Sequence, residues 1–400
     1  MKTLVLAFNY LWARPLAAAL NLLLLSLGLA SITLVLLVSE QIDRAFERDL
    51  AGIDLVVGAK GSPIQLILAG VFHIDVPPGN IALAEVDALR QDPRVAKLIP
   101  LSLGDSFQGF RLVGTTPHYV QHYGATVVQG GLWQAPMQTV LGASVASTTG
   151  LKVGQQFVGT HGLGSGGHAH GDNAFVVSGV LAACQCVLDR LILTATESVW
   201  QVHEKAQAQD ESDRAAMAAE REVTMALIQY TSPLAAVTLP RYVNSATGMQ
   251  AAAPAVEVTR LLRLIGVGTD VLRGFGAVLL LTAGLSVFIA LWNAVRERRY
   301  DLATLRMLGA SPGKLAALLA CEALWLALLA SALGLLGGHL LTALVGLMLQ
   351  AEKSLPVSGW LLVAAEAWIP LVAAMVAIVA ALIPAIGAYR VDAGELLNTR

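Results

Sequence analysis

His161, His168, His170 and Asp172 crowd one glycine-rich stretch, Thr160–Asp172. Imidazole and carboxylate ligands suit zinc, copper or nickel, and the glycines give the stretch backbone freedom. Cys184-Gln185-Cys186 follows one expected strand later, with His203 beyond it. Side chains of an extended segment repeat every second residue, so His168 and His170 can share a side, and so can two thiolates at 184 and 186. A disulfide between those cysteines is expected to be cramped, given the Cα spacing such bonds favour. Three readings stay open: zinc or copper sensing or handling, a pH-responsive loop, and a surface loop with incidental histidines. The spacing matches no fixed zinc motif. Cys321 lies in an apolar run and reads as a small packing residue. No triad or carboxylate pair suggests an enzyme. The nearest approach to a phosphate loop, Gly309–Leu315, has the wrong spacing and a leucine after Lys314 where a hydroxyl is needed.

The elements around this chemistry are dominated by apolar runs. Of 400 residues, 56% are hydrophobic and 14% charged, against roughly 25% charged in a soluble domain. The net charge of −2 and the lack of a basic patch away from the apolar flanks exclude a nucleic-acid partner. A bilayer span needs about 20 apolar residues. Leu16–Val38 meets this, is too long for a signal-peptide core and lacks a good cleavage site, so it reads as an uncleaved anchor. Lys2 and Arg14 before it, with Glu40 and Asp43 after it, put the N-terminus in the cytoplasm. Phe275–Trp292, Leu315–Leu349 and Trp360–Tyr389 supply three more spans, with Pro370 and Pro384 as kink candidates in the last. Ala330, Gly334 and Gly338 allow close helix contact in lipid. Glu322 reads as a cap or a contact to the preceding loop, and His339 as a packed, hydrogen-bonding residue.

Residues 40–272 hold no span and are expected outside, entered and left by stalk helices at 41–50 and 256–271. Strands are expected at 54–57, 95–101, 107–113, 175–181 and 222–230, with helices at 83–91 and 233–244. The early and late portions would pack together, with an inserted lobe at about residues 120–195. The polar stretch 197–222 reads as a solvated helix or mobile insert, with a partner-binding arm as the alternative.

The remaining division is a head (1–15), spans at 16–39, 273–295, 315–349 and 360–389, an inner loop (296–314), an outer loop (350–359) and a tail (390–400). The inner loop is the most informative. It runs Arg296-Glu297-Arg298-Arg299-Tyr300-Asp301-Leu302-Ala303-Thr304-Leu305-Arg306-Met307-Leu308-Gly309-Ala310-Ser311-Pro312. Gly309 suits a helix C-terminus and Pro312 a first turn. Tyr300, Leu302, Leu305 and Leu308 recur at helical spacing, so one side of a short surface helix is apolar.

This segment resembles the signature of the FtsX-like/MacB-like permeases of ABC transporters. The resemblance continues through Glu322 and returns at Pro384-Ala385 and Ala388–Leu397, with Ala393 where proline is usual. Val140–Ala146 and Leu151–Val158 resemble a stretch of that family's outer domain, with Gln155 where aspartate is common. The resemblance implies an α-helical membrane protein with four transmembrane helices and an inserted α/β extracytoplasmic domain of two lobes. It implies a permease subunit in the bacterial inner membrane, both termini cytoplasmic, working in export or in lipoprotein or substrate release. Arg298, Arg299, Tyr300, Asp301, Leu305, Arg306, Leu308, Gly309 and Ala310 would form the coupling helix on a separate ATPase subunit, which would hold ATP and magnesium. A second permease copy or a paralogue, membrane lipid and a periplasmic partner or lipoprotein are the other expected partners. A mechanotransducer for an extracytoplasmic enzyme and a metal-linked transport subunit are the alternatives.

Overall fold

The structure is a computed structural model describing residues 2–13, 15–162, 169–207, 213, 217, 220–351 and 357–389. The chain divides into two compact units, Met1–Ile42 with Ile265–Arg400, and Asp43–Leu264. Helices α2 (Pro15–Leu50) and α9 (Pro254–Glu297) contribute residues to both. Each is a single helix through the expected stalk and span, without a break between them.

In the first unit, four helices among the described residues are long and apolar enough to cross a membrane: α2, α9, α11 (Pro312–Ala351) and α12 (Trp368–Tyr389). They pack along small residues. A Cβ on Gly334 would lie 2.6 Å from Leu29 Cβ, and one on Gly338 would collide with Thr33 of α2. Ser286 of α9 donates to Asn21 Oδ1 of α2 at 2.6 Å, since a polar group in an apolar bundle needs an internal partner. The last helix differs from the expected span. It begins at Trp368 rather than Trp360, because Glu366 accepts the Val363 N–H at 2.8 Å and caps a short 3₁₀ turn, Ala364–Ala367. Pro370 therefore falls in the first turn, where a missing N–H breaks no helical bond, and only Pro384 is interior. The expected head contains a helix of its own, α1 (Lys2–Trp12).

The second unit has two lobes. In one, β1 (Leu55–Ala59), β11 (Met225–Tyr230), β12 (Met249–Ala252) and the first half of β3 (Val95–Phe107) form an antiparallel sheet in the order β12-β1-β11-β3. Helices α4 (Leu83–Arg90) and α8 (Ala235–Ala246) cover one face, where Leu55, Val57, Val86, Leu89, Ile228, Leu239 and Val243 form a core. Helix α3 (Pro63–Gly70) packs against Val56 and Met225. A small two-stranded pair, β2 (Ile81–Ala82) with β10 (Glu222–Val223), is not bonded to this sheet but adds Ile81 and Val223 to the same core. The early and late portions thus share one core.

The other lobe uses the second half of β3 with β4 (Phe110–Thr115), β6 (Gln138–Leu141), β7 (Gln156–His161), β8 (Ala169–Leu181) and β9 (Leu191–Ala195). Pairing runs β3-β4-β9-β6-β8-β7 and returns to β3, so the six strands close on themselves. β5 (Val127–Gly130) adds outside on β8. Phe110, Leu112, Phe157, Phe175 and Ile192 fill the interior, sealed by Val145 of α6 (Ala143–Thr149) and by Val199 and Val202 of α7 (Thr196–Gln207). The start of the polar stretch 197–222 is therefore packed, not solvated. The lobe starts within β3, ahead of the expected boundary near 120.

Candidate functional site

The inner loop folds as the short helix α10 (Arg299–Met307) between α9 and α11. Its end is set by local hydrogen bonding. Ala310 N–H donates to the Leu305 carbonyl at 2.9 Å and Gly309 N–H to Arg306 at 3.0 Å. Gly309 takes φ 95°, a left-handed value that a side chain rarely adopts. Leu305 and Ala310, the residues such a stop brings together, both pack on the helical core. Pro312 then starts α11.

The start is held by Arg298, between α9 and α10. It is half-buried, and its Nη1 lies 3.6 Å from Glu322 Oε1 on α11. Nη2 donates to the Tyr10 carbonyl of α1 at 2.9 Å, and the guanidinium sits 4.4 Å from the centre of the Tyr10 ring. Helix α1 is anchored in turn on α11. Trp325 Nε1 donates to the Leu4 carbonyl at 3.1 Å, and Phe8 meets the Trp325 ring edge-on at 5.3 Å. Glu322 thus contacts the residue that opens α10. Tyr10 was not identified from sequence, because its role lies in a backbone carbonyl and a ring face rather than a motif.

The structure divides the expected apolar stripe of α10. Leu302 is buried and Leu305 packs on the core, whereas Tyr300, Met307 and Leu308 are exposed. A helix advances about 3.6 residues per turn, which puts Tyr300, Thr304 and Met307 in one row and Leu302 and Leu305 in another. Asp301 is exposed and Arg306 half-buried. The side chain of Arg299 and the tail 390–400, including Ala393, lie outside the described residues.

His339 of α11 is a hydrogen-bonding residue. Its Nδ1 donates to the Gly359 carbonyl at 2.6 Å, and Nε2 lies 3.1 Å from Glu366 Oε2.

The histidine-rich stretch is described only at its ends. His161 and His170 lie on β7 and β8, while His168 and the side chains of His161, His170 and Asp172 lie outside the described residues. The two cysteines depart from expectation. Cys184 and Cys186 form a disulfide with Cα atoms 5.1 Å apart, a separation that such bonds accept. So joined, they offer no pair of thiolates to a metal. Gln185 takes φ 56°, which bends the intervening residue enough for the sulfurs to meet. Asp189 holds this loop by accepting the N–H groups of Cys184 and Gln185 at 3.0 and 2.7 Å. The end of α2 grips the same loop: Asp49 Oδ1 accepts the Val187 N–H at 2.9 Å, and Arg48 Nη1 donates to Gln185 Oε1 at 3.4 Å.

Sequence comparison assigns both parts of the chain. Residues 18–229 match the MacB-like periplasmic core domain, just over half of the chain, and residues 273–392 match the FtsX-like permease C-terminal domain. The chain belongs to the FtsX-like/MacB-like family of ABC transporter permeases and is a multi-pass membrane protein. No curated protein matches it. Among solved structures, the periplasmic region of MacB from Actinobacillus actinomycetemcomitans aligns at 13% identity and TM-score 0.35, covering 54% of this chain and 95% of that one. The extracellular domain of the noncanonic ABC-type transporter YknZ from Gram-positive bacteria aligns at 12% identity and TM-score 0.30, covering 50% and 98%.

Proposed function

We propose that this chain is the permease subunit through which a separate ATPase drives an extracytoplasmic domain, for export or for release of a lipoprotein or other substrate. The reading places α10 and both termini in the cytoplasm of a cell whose inner membrane the four helices cross. The observation that carries it is the build of α10. One side is tied into the bundle by Leu302, Leu305 and the Arg298–Glu322–Tyr10 contact, while Tyr300, Met307 and Leu308 stand exposed. A short helix joined to three others, with large side chains left uncovered at Tyr300, Met307 and Leu308, suits a handle for a protein partner.

Substituting Met307 or Leu308 with glutamate should release the ATPase from a complex purified in mild detergent, lowering its affinity at least about tenfold. Leu302→Ala should instead lower thermal stability by about 2–5 kcal/mol, as for other buried leucines. Retention of stoichiometric ATPase by both glutamate variants would contradict the assignment.

A further inference from the structure

β3 leaves one edge open along its first half. On one side, Val95–Leu101 pairs with β11. On the other, β4 starts its pairing only at Ser102 opposite Gly114, and the chain then leaves the sheet into α5 (Pro117–His122). Backbone groups of successive strand residues point to alternate sides. The Leu101 carbonyl accepts the Thr224 N–H on the β11 side at 2.9 Å, and the Pro100 carbonyl accepts the Thr115 hydroxyl on the other side at 2.9 Å. By that alternation Leu98 turns its N–H and C=O groups to the open side, where no strand of the described residues meets them, while a register shift against β11 at Ala96 ends the alternation there.

This edge forms a wall of an open cleft of about 940 Å³, closed elsewhere by Ala51-Gly52 and by α5. Arg90, Lys97, His118 and His122 line it, and among the described residues no carboxylate does. Arg90 is partly offset by Asp87 at 2.8 Å. Thr116 Oγ1 and His122 Nε2, both of lining residues, are buried and have no hydrogen-bond partner among the described residues. An unpaired strand edge is a template for another extended chain, and a wall with only positive formal charge favours a negative one. We propose that this cleft binds an extended, acidic segment of a partner polypeptide, which pairs as a strand with the main chain at Leu98 and sets its carboxylates against Lys97 and His118. Main-chain pairing supplies affinity and the basic wall supplies selection. The proposal does not depend on the coupling role of α10.

The full chain in lipid nanodiscs is titrated with a fluorescein-labelled peptide alternating aspartate and valine. Two controls accompany it: the same peptide with lysine for aspartate, and the acidic peptide N-methylated at alternate residues. The acidic peptide is expected to bind and to slow deuterium exchange across Val95–Leu101. The N-methylated form keeps every charge but loses its strand donors, so its affinity should fall at least about tenfold. Lys97→Glu, at an exposed position, should weaken the acidic peptide about tenfold without shifting the melting temperature. Failure of the acidic peptide to bind, equal binding of the N-methylated or lysine peptide, or unchanged exchange at that segment would overturn the proposal. Displacement of the bound peptide by phosphatidylglycerol vesicles, with exchange at 95–101 unaltered, would reassign the cleft to lipid headgroups.

Discussion

A guanidinium taken out of water needs a carboxylate and further acceptors nearby, and removing one partner of such a pair costs about 3–5 kcal/mol. Arg298 has Glu322, a carbonyl and an aromatic face, so the junction between α9 and α10 has one well-defined arrangement. One buried group answers to pH. His73 lies in the outer unit with Nε2 at 2.9 Å from the Tyr119 hydroxyl. Burial, then the nearby charges of Arg111 and Arg190, hold its pKa well below the ordinary histidine value. In the unfolded chain the same ring takes a proton near the ordinary histidine value of about 6.5. Below that pH the unfolded state binds more protons than the folded one, so His73 makes stability fall as pH falls and has no effect well above it. The loss grows as pH falls below the unfolded value. Melting curves of the full chain at pH 5.5 and 7.5 should show this loss, and His73→Gln should show less of it. An identical pH dependence in the variant would refute the assignment.

At the scale of elements, close helix approach is specified by single glycines. A Cβ on Gly338 would collide with Thr33, whereas one on Gly337 would meet Ala30 Cβ at an ordinary 3.4 Å. Gly338→Ala should therefore destabilise the helical unit by about 1–3 kcal/mol through overpacking. Gly337→Ala should be neutral, or stabilising by up to about 1 kcal/mol from helix propensity. Unfolding of the two variants in mixed micelles would separate them; equal stability would mean that α2 and α11 do not pack at this site. The spacing of Gly334 and Gly338 made the contact readable in advance, but the partner helix was not, because spacing names a face and not its neighbour. The same limit explains α10. Its existence, and its stop at Gly309, follow from residue type, whereas the side left exposed depends on where α1 and α11 sit. β3 was harder. Two strands were expected, at 95–101 and 107–113, yet the first runs on without a break from Val95 to Phe107. Pro100 is tolerated because its missing N–H lies on the side away from β11. The Cys184–Cys186 bond could not be read from spacing, since it depends on the positive φ of Gln185 and on anchors at Asp49 and Asp189, far apart in sequence.

At the scale of the whole chain, the four spans and the two-lobed outer domain were legible because long apolar runs and alternating strand patterns each have few physical solutions. The function was legible to the level of a permease, and the cargo was not, since no cluster of described residues recognises one by its chemistry. If the chain acts as proposed, force passes through α2 and α9, which run without interruption between their two ends. Two glycines inserted after Ile42 should weaken that helix by about 1 kcal/mol each. They should leave ATPase binding intact and abolish the ATP-dependent change in fluorescence transfer between labels within the outer unit. An unchanged signal would rule out transmission along α2.

β3 belongs at once to an open sheet and to a closed ring of strands. Neither lobe can melt alone without stripping a strand from the other, so the outer unit should behave as one cooperative body despite its two cores. Cutting out the ring as a cassette, or grafting it onto a relative, would sever a shared beam rather than unplug a module.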